Sequence, residues 1–143
     1  MISNLLCLLV LSYAGLWESD YQTAIRKASV HDRLVLIYFS GSDWCANCVR
    51  FKKTVLEDSD FTSFVSENFV LYNADFPRKR KNQLKYELQA TNAELKETYN
   101  RENIFPKVVV INPDGTLISQ KEGFDLQTKT SDLIDQLAGT LDE

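Results

Sequence analysis

Two cysteines three residues apart, Cys45 and Cys48, stand directly behind Trp44 and the turn Gly41-Ser42-Asp43. The turn follows a dense apolar run, Arg33 to Ser40 (RLVLIYFS), which reads as a strand buried on both faces rather than an alternating edge strand. From Trp44 onward the apolar spacing is helical. Residues i and i+3 share a helix face, so Cys45 and Cys48 fall within the ~4.4–6.8 Å between Cα atoms that a disulfide demands. The unpaired N–H groups and dipole of a helix N-terminus stabilise a thiolate and lower the first cysteine's pKa below its free value of about 8.5. Cys45 is therefore the expected attacking thiolate and Cys48 the shielded resolving thiol. Trp44 covers one side of the sulfur and restricts water.

Other uses of the pair fit less well. A static structural bridge gains more when it closes a long loop, and this one closes almost none. Zinc takes four ligands, and the chain holds no second CxxC and a single histidine, His31. Copper transfer through the two thiolates remains an alternative, as does a non-catalytic peptide-binding module. Soft-metal sites usually recruit Met or His as well, and the one methionine is Met1.

The 143 residues suffice for one domain, with 44% hydrophobic and 25% charged side chains. Sixteen Lys plus Arg against twenty Asp plus Glu give a net charge of −4. A nucleic-acid binder carries the opposite bias, so nucleic acid is excluded as a partner. At the amino terminus, the apolar run Leu5 to Leu11 precedes Ser12-Tyr13-Ala14, which suits a secretory signal cleaved after Ala14. The greasy stretch falls short of the ~20 residues that span a bilayer. Met1 to Asn4 contains no Lys or Arg, which weakens the signal and leaves a first strand or helix as the other reading. Cleavage would remove Cys7 and leave two cysteines. The expected organisation is a signal peptide over 1–14 and one domain over 15–143.

Along the chain, Ser19 followed by Gln22 forms a capping-box pattern that opens a helix near Asp20 to Ser29. A helix near Ser59 to Glu67, a strand Phe69 to Ala74, and a polar helical segment between Arg78 and Asn100 follow. Leu84, Leu88, Leu95 and Tyr99 line that segment, with a break expected near Thr91-Asn92. Lys107 to Asn112 is a third strand, and Asn112-Pro113-Asp114-Gly115 a turn. Thr116 to Glu122 returns antiparallel. A last helix runs from Gln127 to Leu137, with Gly139 as its stop. The order implies an α/β domain with a central mixed β-sheet flanked by helices, one of them an extra N-terminal helix.

The run Tyr38-Phe39-Ser40-Gly41-Ser42-Asp43-Trp44-Cys45-Ala46-Asn47-Cys48 resembles the active-site segment of thioredoxin-like proteins, in particular the secreted bacterial group with a GSDWCxxC signature. Asp75-Phe76-Pro77, Phe105-Pro106 ahead of VVVINPDG, and Gly123-Phe124 match the same group. The resemblance implies a thioredoxin fold and a protein-disulfide reductase or isomerase with Cys45 and Cys48 as the redox pair. It implies substrate binding by Trp44, Phe105, Pro106 and Gly123, with a cis bond before Pro106 and the Phe105 backbone presented to an extended substrate. It further implies an extracytoplasmic (periplasmic or secreted) monomer with no cofactor. Its partners would be disulfide-containing secreted proteins and an upstream thiol electron donor or acceptor.

The match is incomplete. Thioredoxins proper carry a buried aspartate and a lysine where this chain has Tyr38 and Leu71, so that proton relay is absent or replaced. No imidazole stands between the cysteines, which favours a reductase or isomerase over a strong oxidant. Lys107 is expected to place a cation near the substrate groove. The run Pro77 to Lys85 (PRKRKNQLK) holds five of the sixteen basic residues. It is either a docking patch for an acidic partner or a solvated loop.

Overall fold

The computed structural model describes residues 15–142; the expected signal segment and Cys7 lie outside the described residues. Apolar runs become the strands. β2 (Leu34–Ser40) and β4 (Lys107–Ile111) are buried along nearly their whole length, and β3 (Phe69–Asp75) along most of it. They form the centre of a five-stranded sheet whose order is β1-β3-β2-β4-β5. The outer members are the two-residue β1 (Trp17–Glu18), which sequence patterning misses, and β5 (Leu117–Glu122). β2 and β1 run parallel to β3, whereas β4 runs antiparallel to both β2 and β5. The sheet is therefore mixed, as expected.

Because side chains alternate along a strand, the sheet supports two cores. On one face Leu36, Tyr38, Leu71, Val108 and Val110 meet α2 (Ala46–Phe51), α3 (Ser59–Asn68) and α5 (Thr130–Gly139) through Cys48, Phe51, Phe61, Val65, Leu133 and Leu137. On the other, Val35, Ile37, Phe39, Tyr72 and Val109 meet α1 (Tyr21–His31) and α4 (Tyr86–Tyr99) through Ala24, Ala28 and Leu95. Each large apolar side chain buried in this way stabilises the fold by roughly 1.5–3 kcal/mol before entropy is counted. α2 does not stop at Phe51 but widens into a π-helical turn over Lys52–Leu56, which lets the sequence neighbours Val55 and Leu56 both turn inward.

Several boundaries differ from the expectation, each for a local reason. The cap of α1 is Asp20 rather than Ser19. Its backbone is extended, and its carboxylate accepts the Thr23 N–H and hydroxyl, both at 2.8 Å. α4 begins at Tyr86, after Leu84, and is unbroken at Thr91-Asn92. Asn92 points inward there, accepting the Tyr72 hydroxyl at 2.6 Å and donating to the Asp75 carbonyl at 3.1 Å. α5 begins at Thr130 because Asp125 first holds a turn, accepting from Gln127 N and Thr128 Oγ1. The helix does end at Gly139, but without a left-handed glycine cap, and the chain continues into a 3-10 turn over Thr140–Asp142.

Candidate active site

The carboxyl end of β2 delivers the chain into Gly41, whose carbonyl accepts the N–H groups of Trp44 (3.2 Å) and Cys45 (2.9 Å) and closes the turn. A side chain at Gly41 would collide with the Trp44 indole, so glycine is needed here for close approach and not for an unusual backbone angle. Cys45 is the N-cap of α2, and its Sγ accepts the Cys48 N–H at 3.1 Å. The two cysteines are disulfide-bonded with Cα atoms 5.2 Å apart. Cys45 is 8% exposed and Cys48 2%, so both are buried and Cys45 is the less buried of the two.

Beneath the helix, the Tyr38 hydroxyl donates to the Cys48 carbonyl at 3.1 Å. Burial, reinforced by the Asp75 charge, holds the Tyr38 phenol well above its ordinary pKa. The protonated phenol is the donor in this bond. Across the sheet Tyr38 is paired with Asn73, and Leu71 is fully buried in the core. No charged pair of the thioredoxin kind exists at these two positions. A hollow of about 200 Å³ reaches Cys48 from this side, bounded by Tyr38, Ser40, Lys52, Glu57 and Asn73.

The other side of the cysteines is aromatic. Trp44 donates from Nε1 to the Phe76 carbonyl at 2.7 Å and meets the Phe105 ring edge-on with centroids 5.4 Å apart. Phe76 meets the same ring at 5.6 Å, so Trp44, Phe76 and Phe105 form a shelf. The Phe105–Pro106 peptide bond is cis. Asn100, buried at the end of α4, holds the approach to it by donating to the Ile104 carbonyl (2.8 Å) and accepting the Ile104 N–H (3.0 Å). Gly123, with φ of 73°, donates its N–H to the Pro106 carbonyl at 2.8 Å. The adjoining Phe124 packs on Phe51 of α2, with ring centroids 5.4 Å apart. Trp44 adjoins the CxxC helix, Phe105 reaches it through Trp44 and Gly123 through Phe124, while Pro106 is joined to it through Phe105 and Trp44.

Lys107 departs from its expected place. In the pairing register it shares a face with Phe39 and Val109, away from the cysteine helix. It is 3% exposed, with its ammonium 3.4 Å from Glu122. Its charge is thus buried and paired with Glu122 instead of exposed.

Two carboxylates hold the site together: Asp43, read from the sequence only as a turn residue, and Asp75, noted only within the matching run Asp75-Phe76-Pro77. Asp75 accepts from Ser42 N (2.9 Å), Ser42 Oγ and Ser40 Oγ (3.1 Å). Asp43 accepts the N–H groups of Arg78 and Lys79, each at 2.9 Å, and Asn82 Nδ2 at 3.0 Å. The Arg78 N–H foremost, then Asn82 and Lys79, hold the Asp43 carboxyl below the usual carboxylate range. Only the turn composition around Asp43 was a sequence signal, because its partners lie more than thirty positions away. Among the described residues, no group of three or more His, Cys, Asp or Glu side chains is placed to hold a metal ion, and no helix is long and apolar enough to cross a membrane.

Comparison with known proteins agrees with this geometry. The disulfide bond reductase DsbH of Chlamydia pneumoniae is 31% identical over 104 residues, covering 73% of this chain and 60% of that protein. The thioredoxin-related protein DsbJ of the same organism is 36% identical over 64 residues, or 45% of this chain and 18% of DsbJ. The chain therefore spans less than two thirds of the length of either curated relative. A solved structure of a DsbH oxidoreductase superposes with a TM-score of 0.79 at 26% identity, covering 99% of this chain and 95% of that one. The family model described as a thioredoxin-like domain matches residues 21–138. With a mixed five-stranded sheet between two helical layers and a CxxC pair at the head of α2, the chain belongs to the thioredoxin-like domain family.

Proposed function

We propose that the protein is a thiol–disulfide oxidoreductase that reduces or rearranges disulfides in other proteins, with Cys45 and Cys48 as its redox pair. The observation that carries this reading is the Cys45–Cys48 disulfide at a helix N-terminus, its outer sulfur accepting a backbone N–H. In the reduced protein that N–H stabilises the Cys45 thiolate. The thiolate attacks one sulfur of a substrate disulfide, forming a mixed disulfide and releasing the first substrate thiolate, which takes up a proton. Cys48, deprotonated, then attacks Cys45 Sγ, closing the Cys45–Cys48 bond and releasing the second substrate thiolate. Two electrons pass from the protein to the substrate, and an upstream dithiol returns them.

Trp44, Phe105, Pro106 and Gly123 are assigned to substrate binding. The Phe105 backbone faces an extended substrate and pairs with it as a strand would. The absence of an imidazole between the cysteines supports a reductase or isomerase rather than a strong oxidant, as does the likeness to a disulfide bond reductase. The reading places the protein with the secreted GSDWCxxC-bearing group, with residues 1–14 as a signal, residues 15–143 as the working domain, and secreted disulfide proteins as its partners. Reduction of insulin by dithiothreitol tests the activity. The wild type should accelerate precipitation of the insulin B chain catalytically, and Cys45→Ser should abolish the acceleration. An equal rate with and without the wild-type protein would contradict the reading.

A further inference from the structure

The basic run after β3 is more than a solvated loop. Asp43 pins its first two backbone amides against the active-site turn. Arg78 lies with its guanidinium carbon 3.7 Å from the centre of the Trp44 ring, a cation–π contact that fixes its position on the side chain next in sequence to Cys45. Together with Lys96 from α4, it borders a groove of about 560 Å³ whose apolar wall is the Trp44, Phe76 and Phe105 shelf. The Lys96 ammonium donates to Asn103 Oδ1 at 2.9 Å, a neutral partner. The ion pairs among the described residues are Lys27–Glu18, Arg101–Glu97 and Lys107–Glu122; none includes Arg78, Lys79, Arg80, Lys81, Lys85 or Lys96. The nearest carboxylate of the turn, Asp43, accepts three N–H donors and keeps its negative charge, which offsets one of these cations. A chain with net charge −4 thus gathers a surplus of positive charge along this run and Lys96, around the groove that Trp44 borders.

We propose that this groove selects protein disulfides whose attacked cysteine is flanked by acidic residues. Arg78 and Lys96 receive a substrate carboxylate, while the apolar neighbour of that residue lies on the aromatic shelf. The two cations come from separate elements and converge on one opening, which suits a carboxylate on an extended segment crossing the groove. Lys79, Arg80 and Lys81 widen the positive field and speed encounter with an acidic chain. The proposal rests on the oxidoreductase reading and adds a substrate preference to it.

The test uses the full chain, pre-reduced, in single turnovers with three disulfide-bridged peptides. These are identical except that the positions flanking the cysteine are Glu, Gln or Lys. The Glu peptide should react about five- to tenfold faster than the Gln peptide in second-order rate constant, and the Lys peptide slowest, as expected for a partly shielded charge pair. Raising salt from about 0.05 to about 0.5 M should compress the order, because screening shortens the reach of the field. In Arg78→Gln/Lys96→Gln the ratio of Glu to Gln rates should fall toward one. Equal rates for the Glu and Gln peptides with wild type would overturn the proposal while leaving the oxidoreductase reading intact. A preference that survives the double substitution would overturn the assignment to these residues. Failure to reduce any of the three peptides would overturn the oxidoreductase reading and the preference with it.

Discussion

Gly41 shows how one residue sets the geometry of the site. The Trp44 indole occupies the space where a Cβ at Gly41 would sit, and from there it bonds the Phe76 carbonyl and carries Arg78 on its face. Gly41→Ala should push the ring outward, break the bond to Phe76 and destabilise the oxidised protein by about 1–3 kcal/mol, the usual cost of overpacking. Urea denaturation checks this, and an unchanged midpoint would contradict it. Sequence reading placed Gly41 in a turn but could not give its reason, because the close neighbour is a side chain folded back over the backbone. Cys45, Cys48 and Trp44 were legible for the opposite reason: their relation is local, fixed by helix periodicity and by the strand that precedes them.

At the scale of elements, polar side chains buried or anchored across the fold decide how the layers sit. Asn92 joins α4 to β3 through the Tyr72 hydroxyl and the Asp75 carbonyl. Tyr72 is itself buried, which pushes its phenol up to about 12. Asn92→Leu would strand that hydroxyl without a partner and should cost about 1–3 kcal/mol in denaturant-induced unfolding; a change below about 0.5 kcal/mol would contradict the assignment. Asp43 ties the basic loop to the active-site turn, and its folded-state pKa is lowered chiefly by the Arg78 N–H. A carboxyl whose pKa is lowered by folding stabilises the protein above its unfolded value of about 3.9. That contribution is lost as the pH falls below this value and through the lowered one. The Arg78 and Lys79 amide resonances should therefore titrate together with a midpoint below about 3.9, and Asp43→Asn should abolish the transition. A midpoint at or above that value would contradict the anchoring role. The long apolar strands were readable from composition alone. The unbroken course of α4, the π turn after α2 and the short β1 were not, because each depends on a partner distant in sequence.

For the whole molecule, the core on one face of the mixed sheet holds the CxxC helix against Tyr38. The aromatic shelf and the Phe105-Pro106 turn lie on the other side of the cysteines. The expected fold class follows from the alternation of buried runs and amphipathic segments, and the sheet order delivers β2, which leads into the cysteines, to its centre. Cys45 is 8% exposed and Cys48 2%, and the proposed mechanism gives attack to the less buried of the two and resolution to the other. Mixed-disulfide trapping tests that division of labour most directly. Pre-reduced Cys48→Ser, incubated with a disulfide-bonded protein substrate, should accumulate a covalent adduct that peptide mapping by mass spectrometry assigns to Cys45, whereas Cys45→Ser should yield little or none. An adduct formed through Cys48 as readily as through Cys45, or none with either variant, would contradict the account.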